Sequence, residues 1–548
     1  MLTWIIAPLL LLGVLIFIHE LGHFLACRLT GVRVERFSIG FGPQLFSFQG
    51  RETLYRVALL PLGGYVKPLG EEPGEQISPE DYKVSLPAKS APARLLIFAA
   101  GTLANLLLPI PIFFAIALWG QPTVAPEIGS IRSGSPAEIA GLRTGDRVLA
   151  VDQKEIRSFE ELAKIIAKRP AEPLSIKLER EGKTLAISLT PLRKDGRNLL
   201  GESVEEGDAG IMPGEISSRV GVAPGSPAEK AGLKTGDTIT RVGTVPVATF
   251  RELKKEMISP GRSEPTLILT IQRDKSNAEL SLKLTLPPAP LSEKDWAGLG
   301  ILTPELFISD VLPDSPAARA GFLSGDRILT IDGKKLSGWE ELVELVQAGG
   351  ATPRQVLVGR GGNPFTLAVT PETETAAKSP REKSTFRIGI RSYLEYTSGR
   401  IIKLREKNPG KALVQAVEKT WEFSCLTVRG ILSLIQGRIS WKNVGSPILI
   451  VKLAGDSARS GWYPYLFLLV IISINLGILN LLPIPIFDGG QIVLLLIEAV
   501  IRHPLSLKTR EVTSQIGFAL VLLIMALAVY NDLIRFQDDI INFFKNLF

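Results

Sequence analysis

The chain has 548 residues, with 62 Lys and Arg against 55 Asp and Glu and a formal charge of +7. That length is too great for one ordinary domain, and 45% hydrophobic content excludes a disordered chain. Two cysteines, Cys27 and Cys425, exclude a disulfide scaffold and a Cys-rich zinc finger, and no Lys/Arg-rich block points to nucleic acid as a partner. A positive mean hydropathy beside 21% charged residues indicates apolar spans joined to ordinary soluble domains.

The first predicted element is an uncharged run at residues 2–18. It lacks the basic flank and the A-x-A site of a signal peptide, so it is read as a membrane span. It runs directly into His19-Glu20-Leu21-Gly22-His23. On a helix, residues i and i+4 share one face, so His19 and His23 can share one zinc ion. Glu20 is placed to act as general base toward water at that metal. Two of the three His of the chain fall in this pattern. Ionisable groups set among apolar residues at membrane depth are costly, which argues for function rather than a chance match.

The next loop carries nine Lys and Arg between Arg28 and Arg94. A second uncharged run follows at Leu95–Trp119. Basic loops stay in the cytosol. Residues 28–94 are therefore expected there, as is the stretch 502–510 with Arg502, Lys508 and Arg510. The first membrane region is set at 1–121. The large segment beyond it is expected outside the cytosol.

That segment contains an internal repeat: SPAEIAGLRTGDRVLAVD at 135–152, SPAEKAGLKTGDTITRVG at 226–243 and SPAARAGFLSGDRILTIDG at 315–333. Ser135, Ser226 and Ser315 read as N-caps, with Pro at the first helical position. Gly141, Gly232 and Gly321 end the short helix, and a Gly-Asp turn then feeds an alternating strand. A second amphipathic helix is expected at Phe159–Ala167, Phe250–Met257 and Trp339–Val346. The pattern resembles PDZ domains of the bacterial protease type, in three copies at 122–196, 205–290 and 295–371. The resemblance implies capture of peptide C-termini by strand addition. Residues 372–409 read as a linker, and 410–461 as an amphipathic segment on the bilayer surface.

The last region, 462–548, holds a third uncharged run at Tyr463–Phe487, a short apolar piece at Ile492–Ile501 and a fourth span at Ile516–Tyr530. A hydrolytic zinc keeps three protein ligands. The candidates for the third are Asp488, Glu498 and His503. Asp488 is preferred: Pro483 and Pro485 break the helix before it, and Gly489 and Gly490 permit close backbone approach. Broken backbone at membrane depth is tolerated where it lines a cavity.

HELGH in the first span and NLLPIPIFDGG in a later one resemble the site-2 protease family of intramembrane zinc metalloproteases. RFSIGFGP at 36–43, LPLGGYVK at 60–67 and Ala99-Ala100-Gly101 with Asn105 belong to the same likeness. The fold class it implies is a polytopic α-helical membrane protein of about four spans with three extracytoplasmic α/β PDZ-like domains. It implies His19, His23 and Asp488 as ligands of Zn2+ and Glu20 as the catalytic base. Asn480, with Pro483 and Pro485, would help to hold the substrate, and Gly40, Phe41 and Gly42 would form a membrane-associated β-element. The implied substrates are single-span proteins within the lipid bilayer of the bacterial inner membrane, such as membrane-anchored anti-sigma factors. The active site would face the cytosol. A PDZ scaffold with a vestigial metal site and a zinc transporter are the competing readings. An intact Glu20 argues against the first, and a single metal cluster against the second.

Overall fold

Uncharged runs with no water to bond their backbones must close their hydrogen bonds internally, as helices. The structure, a computed structural model, describes residues 2–72, 75–197, 203–258, 266–273, 279–286, 293–375, 385–439, 441, 444–503 and 505–537. Among them, four helices are long and apolar enough to cross a membrane: Thr3–Leu29, Ala91–Trp119, Trp462–Asn480 and Lys508–Arg535. The chain divides into two compact units. One holds the described residues of 2–122 and 403–537, and the other the described residues between Thr123 and Ile402.

In the membrane unit, α1 (Leu2–Leu29) leads into a long hairpin of β1 (Val34–Gln49) and β2 (Leu54–Pro68). The hairpin curls on itself. Ile39 lies opposite both Val57 and Gly64, so residues 36–39 run between 54–57 and 64–67. Gly40 and Gly42, at φ 87° and 85°, supply the bend that an L side chain rarely adopts. Leu45, Phe46 and Phe48 are exposed on the hairpin. The second span is broken at Leu108 into α2 (Ala91–Leu107) and α3 (Pro109–Trp119), because Pro109 and Pro111 cannot donate to the preceding turn.

Past the other unit come α4 (Pro409–Ile435) and α5 (Pro447–Ser460). The expected surface segment 410–461 is thus two helices packed on the spans. Ala416 of α4 joins Phe113 and Ile116 of α3 in one core, and Ala454 of α5 joins Leu11 and Leu15 of α1 in another. The third run, expected to continue to Phe487, ends as helix α6 (Trp462–Asn480). The prolines stop it, and α7 (Asp488–Ile501) begins at Asp488, an acidic group at a helix N-terminus. Helix α8 (Leu507–Arg535) completes the unit. The two strands of chain that leave the unit lie side by side: the Glu406 N–H donates to the Ala117 carbonyl at 2.9 Å, and Gly120 sits against the Lys403 side chain.

The other unit contains three four-stranded antiparallel sheets of one topology, centred on Arg147–Val151, Thr238–Val242 and Arg327–Ile331. Each has its own hydrophobic core. Ser135, Ser226 and Ser315 cap their helices by accepting from the backbone N–H three residues on. The Asp of each Gly-Asp turn is buried and held by one arginine: Asp146 by Arg180, Asp237 by Arg273 and Asp326 by Arg360.

Each core is completed by chain beyond the sheet. Ala209 enters the first, Trp296, Leu299 and Ile301 the second, and Ile388 the third. A closing strand pair follows the same rule: 211–212 with 130–131, 301–302 with 221–222, and 390–392 with 308–311. Residues 295–302, expected to open the third copy, therefore belong to the second core. In the expected linker 372–409, the strands Glu372–Thr375 and Thr385–Arg387 pair with each other, and Ile388 is core. The expected end of the second copy, at residue 290, lies outside the described residues.

Candidate active site

Two imidazoles one helical turn apart on α1 converge on the first carboxylate of α7. His19 and His23 approach to 3.3 Å between their Nε2 atoms. Asp488 Oδ2 lies 3.4 Å from His19 Nε2 and 3.5 Å from His23 Nε2. Zinc–ligand bonds of about 2.0–2.1 Å put tetrahedral ligand atoms roughly 3.3–3.4 Å apart, so two nitrogens and one carboxylate oxygen at this spacing fit the ion. Among the described residues, these three form the one group of His, Cys, Asp and Glu so gathered.

The close approach depends on missing side chains. Gly22 packs on the Ala100 carbonyl, where a Cβ would overlap it, and a Cβ at Gly101 would overlap His23 Nε2. Gly489 and Gly490 let α7 begin directly against the carbonyls of Leu481 and Ile484. Helix α2 supplies the surroundings of all three candidate ligands. Ile97 O lies 2.7 Å from His23 Nδ1, Thr102 Oγ1 donates to Asp488 Oδ2 at 2.8 Å, and Asn105 Nδ2 lies 3.3 Å from His19 Nδ1.

Glu20 is buried beside this group, and β2 passes so near that a Cβ at Gly64 would come within 2.9 Å of Glu20 Cγ. His19, Glu20, His23 and Asp488 share the wall of a cavity of about 1160 Å³ with Gly64 and Tyr65. A pocket of that size admits a short stretch of extended peptide.

The residues expected to hold the substrate stand off this wall. Asn480 is the last residue of α6, Pro483 is exposed, and Pro485 accepts from Gln491 Nε2 at 2.9 Å through its carbonyl. Gly40 and Gly42 are at the bend of β1, with the Gly42 carbonyl accepting from Arg56. Phe41 stacks on Tyr65 with ring centroids 6.3 Å apart, and so reaches the cavity through its neighbour. The two rejected ligand candidates, Glu498 and His503, line the same cavity but lie outside the metal-fitting group. Glu498 pairs with Arg510 and accepts from the Leu505 N–H at 2.9 Å, and His503 is not among the three gathered residues.

Thr102 was not singled out from the sequence, and Asn105 was noted without a role. The available signal was a pair of polar residues three apart, hence on one face, in an otherwise apolar span.

A match to the family described as Peptidase family M50 spans residues 7–524. The chain is 32% identical to the regulator of sigma E protease of Salmonella typhi over 97% of this chain and 99% of that protein. It is 31% identical to the regulator of sigma-E protease RseP of Escherichia coli (strain K12), over 96% and 97%. A putative zinc metalloprotease of Pasteurella multocida is also 31% identical, over 96% and 98%. The PDZ domain of the SdrC-like protein from Listeria monocytogenes aligns with 16% of this chain and 87% of its own, at 20% identity and a TM-score of 0.14. The metal-fitting trio on membrane helices and the full-length relatives agree: the chain belongs to peptidase family M50, the site-2 proteases, and is an intramembrane zinc metalloprotease.

Proposed function

We propose that the chain hydrolyses peptide bonds within or near the transmembrane helices of single-span proteins, with His19, His23 and Asp488 holding zinc and Glu20 as the base. The observation that carries this is the trio of donor atoms 3.3–3.5 Å apart with a buried carboxylate sharing the same cavity wall. Zinc, when bound, supplies a Lewis acid for the scissile carbonyl. Glu20 takes the proton of the attacking water and returns it to the leaving amine.

A transmembrane helix hides its peptide bonds in its own hydrogen bonds, so it must be unwound and its backbone re-partnered before attack. In this reading Asn480, Pro483 and Pro485 hold one side of the opened substrate, and Gly40, Phe41 and Gly42 the other. The stacking of Phe41 on Tyr65, a wall residue, supports the second part. Relatives named as regulators of sigma E support membrane-anchored anti-sigma factors as substrates. The basic loops at 28–94 and 502–510 support a multi-pass arrangement in the bacterial inner membrane with the active site toward the cytosol. The three repeated units, in this reading, are extracytoplasmic PDZ-like domains that filter substrates and take peptide C-termini.

Glu20→Gln tests the assignment. Purified and zinc-loaded, it should keep its zinc and cut a reporter helix at least about 100-fold more slowly, since only proton transfer is lost. Turnover at the wild-type rate would defeat the role given to Glu20.

A further inference from the structure

Zinc takes a bare imidazole nitrogen, so each candidate His must carry its proton on the other one. For His23 the structure settles which. Its Nδ1 lies 2.7 Å from Ile97 O, a carbonyl can only accept, and Nδ1 must therefore bear the hydrogen. Its Nε2 is left bare toward Asp488.

At His19, Nδ1 faces the side chain of Asn105, with Nδ2 at 3.3 Å, and the ring also bonds the Gly101 backbone, whose carbonyl can only accept. An amide NH2 in that place would donate, in conflict with the Gly101 backbone acceptor, and would draw the His19 proton to Nε2, filling the lone pair that a cation needs. The same placement leaves Asn105 Oδ1 buried with no hydrogen-bond partner, in a side chain that is 0% exposed. An orphaned carbonyl oxygen is costly at membrane depth. The two ends of an amide have nearly the same shape. Half a turn about the last side-chain bond exchanges the two ends, pairing Oδ1 with His19 Nδ1–H and putting the NH2 where Oδ1 stood.

We infer that Asn105 is a positioning residue whose side-chain oxygen accepts from His19 Nδ1–H and so holds His19 Nε2 bare for zinc. The inference rests on the reading of His19 as a ligand. It also gives α2 one consistent task. Residues 97, 101 and 105 share a helix face, and Thr102 adjoins it. From there Ile97 orients His23, Thr102 orients Asp488 and Asn105 orients His19, with Gly101 leaving room for both rings. Outer partners of this kind typically change metal affinity 10- to 100-fold when removed.

The test uses the full chain in detergent, stripped of zinc and titrated with zinc against a competing chelator. Asn105→Leu removes the acceptor at similar volume, and Asn105→Asp keeps an acceptor and loses the donor. Asn105→Leu should bind zinc about 10- to 100-fold more weakly, and Asn105→Asp within about threefold of wild type or more tightly. Equal affinity of Asn105→Leu and wild type, or a fall of Asn105→Asp to the level of Asn105→Leu, would overturn the inference. Nitrogen-15 spectra of the unsubstituted, zinc-free protein give an answer that needs no variant. With three His in the chain, the His19 signal should show the proton on Nδ1, and a proton on Nε2 would overturn it. His19→Ala separates the two levels. It binds zinc as tightly as wild type only if the ligand reading itself fails. It stays weak, with Asn105→Leu unchanged, if the fault lies with Asn105 alone.

Discussion

Gly101 stands where α2 crosses both imidazoles, and the atoms a methyl group would meet there are ring atoms of the two candidate ligands. A Cβ would overlap His23 Nε2 and lie 2.9 Å from His19 Cε1. Alanine has the better intrinsic helix propensity by about 1 kcal/mol, so a helix-level view expects Gly101→Ala to stabilise. Sterics at the site decide otherwise. Gly101→Ala should lose zinc by at least about tenfold and lose cleavage with it. Gly13→Ala, on α1 with nothing within 4 Å of its Cβ, should keep both. Zinc per chain after exhaustive dialysis compares the two, and zinc retained by Gly101→Ala would refute the crowding argument. His19, Glu20 and His23 were legible because their spacing matches the helical period. Asp488 was legible because prolines and glycines surround it. Gly101 and Asn105 could be noted and not given a task, because their partners come from α1, a separate helix whose packing no local pattern states. The buried Asp146, Asp237 and Asp326 are alike in this respect. The Gly-Asp turns are visible in the sequence, but Arg180, Arg273 and Arg360 meet them only across a strand pair, 34 or 36 residues on.

The second helix of each repeat opens in one way. Glu161, Glu252 and Glu341, in the first turn, reach back to the backbone N–H groups of Arg157, Ala248 and Ser337 at 2.8–2.9 Å. In the first repeat Ser158 adds a side-chain cap, whereas the third has Gly338 at that place and no cap from it. Glu341 therefore carries the third helix's start, aided by Lys334 Nζ at 2.7 Å. The Lys334 ammonium, with the N–H and hydroxyl of Ser337, holds the Glu341 carboxyl down at about 2, against 4.5 ordinarily. A depressed carboxylate stabilises fully above its unfolded value and loses that stabilisation as pH falls toward its folded value. Amide-exchange protection of Trp339–Gly349 should therefore decline as pH is lowered from about 4.5, and Glu341→Gln should begin lower and decline less. Glu305 works with the opposite sign. Burial, and then the neighbouring Glu340, raise its carboxyl, so protonation relieves a cost. The difference between wild type and Glu341→Gln isolates Glu341, and identical profiles would remove it as the cap. Helix positions such as 159–167 followed from periodicity. The curl of β1 and β2, and the break at Leu108, did not. A curl is set by pairing across the hairpin, and a proline early in a helix is compatible with either a break or a continuation.

The two strands of chain that leave the membrane unit lie side by side at Ala117–Gly120 and Lys403–Glu406. A short Gly/Ser linker can therefore replace residues 123–402 without moving the spans. A cut at 371 would be poorly placed, because Ile388 belongs to the third core. The filtering role proposed above predicts that the 123–402 deletion keeps its zinc and cuts a trimmed substrate normally. It should also begin to cut the same substrate with its outside domain intact. A deletion enzyme that cuts the trimmed form and still rejects the intact one would refute the filter. The first and third repeats are joined within their own unit, where Arg132 bonds Glu340 at 2.6 Å, and the chain after the third repeat is tied to the start of the second by the Thr397 N–H, which donates to the Glu215 carbonyl at 2.8 Å. The three repeats were countable in the sequence, and this clasp was not, since residues some 200 positions apart carry no shared pattern. Distance along the chain has a further consequence at the candidate centre. Thr102 and its bonded partner Asp488 are 386 residues apart. At ribosomal speeds of about 5–20 residues per second, roughly 20–80 s pass between their synthesis. Throughout that interval the nascent chain holds HELGH without its carboxylate, so on the ligand set proposed above the protease is born inert and is armed only as its last helices enter the bilayer.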